Sequence, residues 1–279
     1  MTAAGLEVRD LSVEFGGVRA VAGVTLSFAP GSIVGILGPN GSGKTTLLDV
    51  VSGQLRPTSG SVHLDGEDLI DYLPEDRAAL GLIRSFQDCR LYPELTVEET
   101  LLVAEDGRRR VGLSATSLWL PSARRAEATK RRAVGELLAA FGLGSFRHCR
   151  IDQLSTGTRR VVDLASIIAA RPRLLLLDEP TAGIAQREAE ALGPVLRALH
   201  TETGATVVMV EHDVPMAAGL CDALVVMETG RVVSAGATDR VLADPVALEA
   251  YLGATDEALR RSGAIAAGRS GKVRARRQL

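Results

Sequence analysis

A glycine-rich run that ends in a lysine and a threonine is the strongest sign of chemistry in the sequence. Residues 38–45, "GPNGSGKT", fit G-x-x-x-x-G-K-[ST] and lie between an apolar stretch and a predicted helix. Such glycines let backbone N–H groups surround a triphosphate, and the helix N-terminus adds favourable partial charge. Lys44 would reach the β- and γ-phosphates, and Thr45 would offer a hydroxyl to Mg²⁺. With strand, loop and helix all in place, we favour this interpretation over an ordinary glycine-rich turn.

Two adjacent carboxylates follow the most apolar stretch of the chain. Residues 174–179, "LLLLDE", predict a strand buried on both faces that ends at Asp178 and Glu179. Asp178 is placed to hold Mg²⁺, directly or through water. Glu179 is placed to polarise a water for attack on a phosphate. Alone, the pair would predict only the acidic first turn of a helix, so the upstream loop is what favours catalysis.

Three further side chains are candidates because of where they stand. Gln87 follows the predicted strand "LIRSF", and His212 follows the predicted strand "TVVMV". Ligands of open α/β sheets bind at the carboxyl ends of parallel strands. This shared placement favours a functional role for both residues over a surface amide and a packed histidine. Phe15 is equally consistent with a core position and with stacking on a base.

Composition narrows the class of protein. Among 279 residues, 46% are hydrophobic and 3% aromatic, which predicts a large, aliphatic core. The 32 basic and 34 acidic residues nearly cancel, so bulk charge indicates neither nucleic-acid nor membrane-surface binding. Three widely separated cysteines predict neither a disulfide framework nor a zinc site. We also expect no signal peptide and no membrane-spanning helix.

The elements that must position these residues follow from the apolar pattern. The strand candidates are 6–15, 18–28, 32–37, 60–65, 81–86, 173–177, 206–210 and 223–227. The helix candidates are 44–52, 98–141, 161–170, 186–203 and 214–220. The first two strands predict a hairpin, and the alternation of strands and helices after residue 173 predicts parallel strands with crossover helices. The basic composition after residue 257 predicts a disordered tail.

In order and spacing, these motifs resemble the ATP-binding cassette (ABC) ATPases. The resemblance rests on the glycine-rich loop, Gln87, "LSTGT" at 154–158, "LLLLDEPTAG" at 174–183 and "EHD" at 211–213, and it covers roughly residues 6–253. Within the family, "FGGVRAV", "RSFQDCRLYPELTVEETLLVA" and "ADPVALEAYLG" look like the branched-chain amino-acid and urea importer subgroup. Lipopolysaccharide-transport ATPases share parts of these segments.

The resemblance implies a fold and its division into domains. The expected fold is α/β, a P-loop NTPase core around a parallel sheet, with an N-terminal antiparallel β subdomain and a helical signature subdomain. The ATP-binding domain would span residues 5–253, with the helical subdomain at about 88–170. Residues 254–279 would form the basic tail.

The resemblance also implies ATP and Mg²⁺ as cofactors and assigns roles to residues. The implied nucleotide-binding residues are Phe15, Gly38, Pro39, Asn40, Gly41, Ser42, Gly43, Lys44, Thr45, Thr46, Ser155 and Gly157. The implied catalytic residues are Glu179, His212 and Gln87, and the implied Mg²⁺ ligands are Thr45, Gln87 and Asp178. Phe15 would stack on adenine, Glu179 would be the general base, and His212 would contact the γ-phosphate.

The signature segment "LSTGT" departs from the family's usual L-S-G-G-Q. Ser155 and Gly157 are kept, but Thr156 replaces a glycine and Thr158 replaces the glutamine. The β-branched side chain of Thr156 stands where glycine permits close approach and unusual backbone angles. Ala185 replaces an aspartate that usually contacts the partner subunit. Both departures fall on the surface that would face the partner's ATP.

The implied function is that of an ATP-hydrolysing subunit of a membrane transporter, cytoplasmic and held at the inner face of the membrane. Its implied partners are permease subunits and a second ABC ATPase subunit, in a homodimer or a heterodimer, with no nucleic acid. The alternative is a soluble cassette ATPase that drives a non-transport assembly, such as iron–sulfur cluster building. The segment "DCRLYPELTVEETL" favours transport, because in relatives this surface receives a permease helix.

Overall fold

The computed structural model describes residues 5–85, 91–107, 121–180 and 186–252. The strands of these residues form a four-stranded sheet and a six-stranded sheet. Helices pack around the sheets, and the larger sheet carries mostly parallel strands. This is the predicted α/β fold with its antiparallel subdomain, and the prediction is confirmed.

The smaller sheet is antiparallel and begins with the predicted hairpin. Its strands, in spatial order, are β2 (Val18–Phe28), β1 (Leu6–Phe15), β4 (Ser59–Leu64) and β5 (Glu67–Asp68). Gly16 and Gly17 turn the hairpin with φ of 54° and 86°, a conformation that glycine adopts without strain. The hydrophobic residues of β1 alternate into the core, which is why this segment forms a strand with one buried face.

The larger sheet forms the centre of the protein. Its strands, in spatial order, are β10 (Arg231–Ala237), β9 (Ala223–Glu228), β3 (Ile33–Leu37), β8 (Thr206–Val210), β7 (Leu174–Asp178) and β6 (Leu82–Arg84). All neighbours are parallel except β10, which runs antiparallel to β9. Every residue of β3, β7 and β8 is buried, as expected for strands covered on both faces.

Nine labelled helices surround these sheets in the described ranges. They are α1 (Lys44–Val51), α2 (Pro74–Ala79), α3 (Val97–Gly107), α4 (Pro121–Ala140), α5 (Thr156–Ala169), α6 (Gln186–Thr203), α7 (Val214–Leu220), α8 (Thr238–Leu242) and α9 (Pro245–Leu252). Two 3₁₀ turns, Gly144–Phe146 and Ile151–Gln153, lie between α4 and α5. No described helix has both the length and the apolar composition to cross a bilayer.

Three hydrophobic clusters join these elements. The first unites both sheets with α1 and contains Val8, Ile36 and Leu176. The second packs α5, α6 and α7 against the other face of the larger sheet. The third lies among α3, α4 and α5 and contains Leu101 and Leu138. The separate third cluster gives the helical region a core of its own.

The structure refines several predictions. The helical stretch expected from 98 to 141 contains two helices, α3 and α4, and residues 108–120 lie outside the described residues. The helix expected from residue 161 begins at Thr156, inside the signature segment. The short helices α2, α8 and α9 were not predicted, since segments of five to eight residues show little periodicity. The tail after residue 252 is outside the described residues, and the domain limits stay a prediction.

Candidate active site

The glycine-rich loop, residues 38–43, is pressed against two other parts of the chain. Gly38 has φ of 150°, and a Cβ added to it would lie 2.1 Å from the carbonyl oxygen of Met227 on β9. Gly43 has φ of 99°, and a Cβ there would lie 2.2 Å from the carbonyl oxygen of Ala20 on β2. Any larger residue would therefore displace backbone, so the loop needs glycine at both positions.

Lys44 begins α1 and folds back over the loop. Its side chain is buried, and Nζ donates to the carbonyl oxygens of Gly38 at 2.8 Å and Pro39 at 2.9 Å. Burial lowers the pKa of Lys44, and the nearby charges of Glu179 and Asp178 act in the opposite direction. The ammonium group is thus held beside the backbone amides that would face a phosphate.

Ser42 shows that the loop suits an anionic ligand. Its side chain is 2% exposed, and its Oγ has no hydrogen-bond partner among the described residues. A buried hydroxyl without a partner costs free energy, about 1–3 kcal/mol. A phosphate oxygen in the loop would accept this hydrogen bond. The loop therefore fits the phosphates of ATP.

Asp178 ends β7 beside Thr45, and its two carboxylate oxygens have different neighbours. Oδ1 accepts from Thr45 Oγ1 at 3.4 Å, and Oδ2 accepts from the Arg84 guanidinium at 2.9 Å. Burial raises the pKa of Asp178, and the hydrogen bond and charge of Arg84 oppose that shift. A hydroxyl and a carboxylate are ligands that Mg²⁺ prefers together with substrate phosphates, so this pair fits the expected ion.

No described group of three or more His, Cys, Asp or Glu side chains could hold a metal ion by itself.

Glu179 is joined to His212 across two adjacent strands. His212 Nε2 and Glu179 Oε1 form a hydrogen bond of 2.7 Å. Glu179 has φ of 45°, a conformation rarely adopted by residues other than glycine, while its N–H donates to the carbonyl oxygen of Val210. The backbone of His212 is held as well, because its N–H donates to Oε2 of the buried Glu211 at 3.2 Å. These contacts orient the carboxylate and the imidazole toward each other.

The signature segment forms the N-terminus of α5. Ser155 is the N-cap residue, and its Oγ accepts from the backbone N–H of Thr158 at 3.1 Å. The hydroxyls of Ser155 and Thr158 are also 2.9 Å apart and hydrogen-bonded. The hydrogen bonds of the Ser155 side chain go to Thr158 and to no residue of the glycine-rich loop within the described structure. The two predicted phosphate-contacting groups are therefore not joined within one chain.

Thr156 corrects one expectation about this segment. It is the first residue of α5, it is exposed, and its φ is not positive. Its backbone therefore does not need the unusual angles for which glycine would be required. What the substitution adds is a side chain at the helix N-terminus, next in sequence to the buried Gly157.

The remaining predicted residues are distributed as follows. Phe15 lies at the end of β1 and is 51% exposed, which makes its ring accessible for stacking and removes it from the core. Gln87 and Ala185 lie outside the described residues. The structure adds Arg84, which the sequence interpretation passed over. The signal that could have indicated it is a charged residue inside a short apolar strand that pairs with "LLLLD".

Comparison with known families decides what this arrangement is. The family model described as "ABC transporter" matches residues 21–182. The chain belongs to the ABC transporter family. ATP-binding cassettes of this family hydrolyse ATP to power transport, so the chain is an ATPase. The recognition made from the sequence motifs is confirmed.

Individual relatives of this ABC cassette agree with the family. It is 34% identical to the branched-chain amino acid transport ATP-binding protein BraF of Pseudomonas aeruginosa, over 89% of this chain and 97% of BraF. It is 38% identical to the cobalt import ATP-binding protein CbiO of Rhodobacter capsulatus, over 84% of this chain and 78% of CbiO. The crystal structure of the ADP conformation of MJ1267, a cassette of an ABC transporter, is similar with a TM-score of 0.73 and 28% identity, over 91% of this chain and 99% of that one.

We expect Lys44→Ala to weaken ATP binding by about 10- to 100-fold, because it removes a charge-assisted contact to phosphate. Titration of the purified chain with ATP would measure the change. Arg56→Ala serves as the control, since within the described ranges Arg56 forms only an exposed ion pair with Asp71. Equal affinities for the Lys44 variant and the control would contradict the assignment of the loop.

Proposed function

We propose that this cassette powers a membrane importer for branched-chain amino acids or related small solutes. One observation carries the ATPase half of the proposal: the candidate residues meet at the carboxyl ends of the central strands of the larger sheet. They are Lys44, Thr45, Asp178 and the hydrogen-bonded pair Glu179–His212. The similarity to BraF over nearly its whole length supports the substrate class. The similarity to CbiO makes a metal ion the competing substrate.

The nucleotide would be held by residues 38–46 and by Phe15. The amides of the loop and Lys44 would contact the phosphates, and the exposed ring of Phe15 would stack on adenine. Thr45, Asp178 and Gln87 would hold Mg²⁺. The ion would neutralise part of the phosphate charge and so favour attack on the γ-phosphate.

Glu179 would act as the general base for hydrolysis. Its carboxylate would accept a proton from the attacking water, which must be oriented toward the γ-phosphate. His212, hydrogen-bonded to that carboxylate at 2.7 Å, would keep Glu179 in place and would itself contact the γ-phosphate.

A second cassette subunit would complete the site. Ser155 and Gly157 head α5 and are not hydrogen-bonded to the glycine-rich loop of their own chain in the described structure. In the proposed dimer, identical or mixed, they would face the ATP held by the other subunit. The N-terminus of α5 would then add a favourable partial charge near the phosphates.

Permease subunits would hold the cassette at the inner face of the membrane, with no nucleic acid involved. The competing function is a cassette ATPase that drives a non-transport assembly, such as iron–sulfur cluster building. The test is to co-express the tagged chain with candidate permease pairs and to reconstitute any complex in vesicles. ATP-dependent uptake of branched-chain amino acids supports the proposal. Uptake of cobalt alone would make a metal ion the substrate. Failure to join any permease contradicts a role in transport.

We expect Glu179→Gln to retain ATP binding while hydrolysis falls by about 10²- to 10⁴-fold, since the amide accepts no proton. The phosphate-release rate of the purified chain or complex, measured beside ATP affinity, separates the two effects. Glu75→Gln is the control, because Glu75 is an exposed acidic residue in the first turn of α2. Normal turnover in the Glu179 variant would remove this residue from the mechanism.

The Ser155–Thr158 contact predicts a slow composite site. The Thr158 hydroxyl is hydrogen-bonded to the Ser155 hydroxyl, and either oxygen can be the donor. When Ser155 is the donor, this bond competes with a bond from Ser155 to phosphate. Restoring Gly and Gln at positions 156 and 158 is expected to speed hydrolysis at the partner's ATP by about 100-fold, the usual effect of one transition-state donor. The test applies to a complex with a different cassette subunit that has an unmodified signature. There, adding Glu179→Gln silences only the site built on this chain's glycine-rich loop, so that ATPase assays of the assembled complex report the site that uses this chain's signature segment.

Thr158→Ser, which keeps the hydroxyl, is the control and should leave that rate unchanged. An unchanged rate after the Gly and Gln substitutions would mean that the threonines are tolerated and that the two sites do not differ for this reason.

A further inference from the structure

We propose that Arg84 is a positioning residue of the nucleotide site. It fixes the orientation of the Asp178 carboxylate relative to Thr45, and through it the affinity for Mg²⁺ bound with nucleotide. The inference rests on the proposed function of Thr45 and Asp178.

Arg84 lies inside the protein, at the last residue of the edge strand β6. Its side chain is 7% exposed, and in the parallel ladder it is paired with Leu176, two residues before Asp178. The preceding residues of β6, Leu82 and Ile83, pack into the hydrophobic clusters. Burying the guanidinium of Arg84 has a desolvation cost. Because that cost can cancel the attraction between the charges, its buried ion pairs are weak evidence for a role in stability alone.

The guanidinium of Arg84 joins the two elements that form the candidate Mg²⁺ site. Nη1 donates to Oδ1 of Asp49 at 2.5 Å and to Oγ of Ser52 at 3.1 Å, both at or near the end of α1. Nη2 donates to Oδ2 of Asp178 at 2.9 Å. Because α1 begins with Lys44 and Thr45, one rigid planar group ties the phosphate-binding helix to the carboxylate strand.

This bridge determines which oxygen of Asp178 remains for the ion. Arg84 occupies Oδ2, and Oδ1 points to the hydroxyl of Thr45 at 3.4 Å. A carboxylate without that anchor could rotate about its Cβ–Cγ bond and move both oxygens. Hydrogen bonds that orient a metal ligand in this way typically change metal affinity by about 10- to 100-fold when they are removed.

Arg77, on α2, offers a matched comparison because it contacts the same helix, α1. It is also buried, and its guanidinium donates to the carbonyl oxygens of Val50 and Val51 at the end of α1. Its other hydrogen bonds go to the carbonyl oxygens of Leu69 and Tyr72 and to no atom of Asp178. Arg77 therefore anchors α1 without touching the carboxylate.

The experiment compares Arg84→Lys and Arg84→Gln with Arg77→Lys in the full chain. Calorimetry measures the affinity for a non-hydrolysable ATP analogue over a series of free Mg²⁺ concentrations, beginning in EDTA, and thermal unfolding checks that each variant is folded. In the Arg84 variants, the Mg²⁺ concentration that gives half of the affinity gain should rise by about 10- to 100-fold. Their affinity in EDTA should stay at the wild-type value, and Arg77→Lys should follow the wild type at every concentration.

Asp49→Asn provides a variant in which Arg84 itself is kept. It loosens one anchor of the guanidinium and should shift the Mg²⁺ dependence in the same direction by a smaller factor. This variant keeps the inference testable if neither Arg84 variant folds.

Three outcomes would overturn the inference. The first is a wild-type Mg²⁺ dependence in the folded Arg84 variants, or in Asp49→Asn where those variants do not fold. The second is a shift of the Mg²⁺ dependence in Arg77→Lys as large as that in the Arg84 variants. The third is a loss of nucleotide affinity that the Arg84 variants already show in EDTA. A wild-type chain that binds no nucleotide, or whose binding ignores Mg²⁺, would instead overturn the proposed function itself. The two failures are thus distinguished by the wild-type titration alone.

Discussion

The parallel register of β3, β8 and β7 is the constraint on which the candidate site depends. Ile36 pairs with Val210, and Val210 pairs with Asp178, so the three strands end at the same level. Each strand is then followed by polar residues: the glycine-rich loop after β3, Glu179 after β7 and His212 after β8. Because the ladder hydrogen bonds fix this level, a one-residue shift of β7 would turn Asp178 to the opposite face of the sheet.

Alternating charges make a site of this kind possible inside a protein. Burial lowers the pKa of Lys44 and raises the pKa of Asp178, and in each case a nearby opposite charge counteracts the effect. Arg84 then stands between Asp178 and Asp49. The positive charges of Lys44 and Arg84 and the negative charges of Asp178 and Asp49 thus offset one another, which limits the cost of burying them.

The sequence predicted the main strands and the loop well because their signals are local. Four consecutive leucines, or a glycine pattern followed by Lys44 and Thr45, can be recognised without knowing what lies beside them. The role of Arg84 could not be predicted, since it depends on the pairing of β6 with β7 and on the packing of α1. The left-handed backbone of Glu179 and the hydrogen bond of Thr158 to Ser155 likewise follow from three-dimensional contacts rather than from residue type.

The signature segment shows why substitutions there are hard to judge from one chain. Within the monomer, Ser155 caps α5 and Thr156 takes an ordinary helical conformation, so the segment is locally well formed. An N-cap of this kind contributes about 1 kcal/mol to stability, and nothing in that role requires a glycine or a glutamine beside it. Selection for folding would thus accept the threonines. In the proposed dimer, their consequence would arise when a second subunit brings its phosphates to Ser155, because only then would the Thr158 hydroxyl compete with a ligand. On that proposal, the departure from the usual signature would act in the assembled state, while the isolated chain already forms a capped α5.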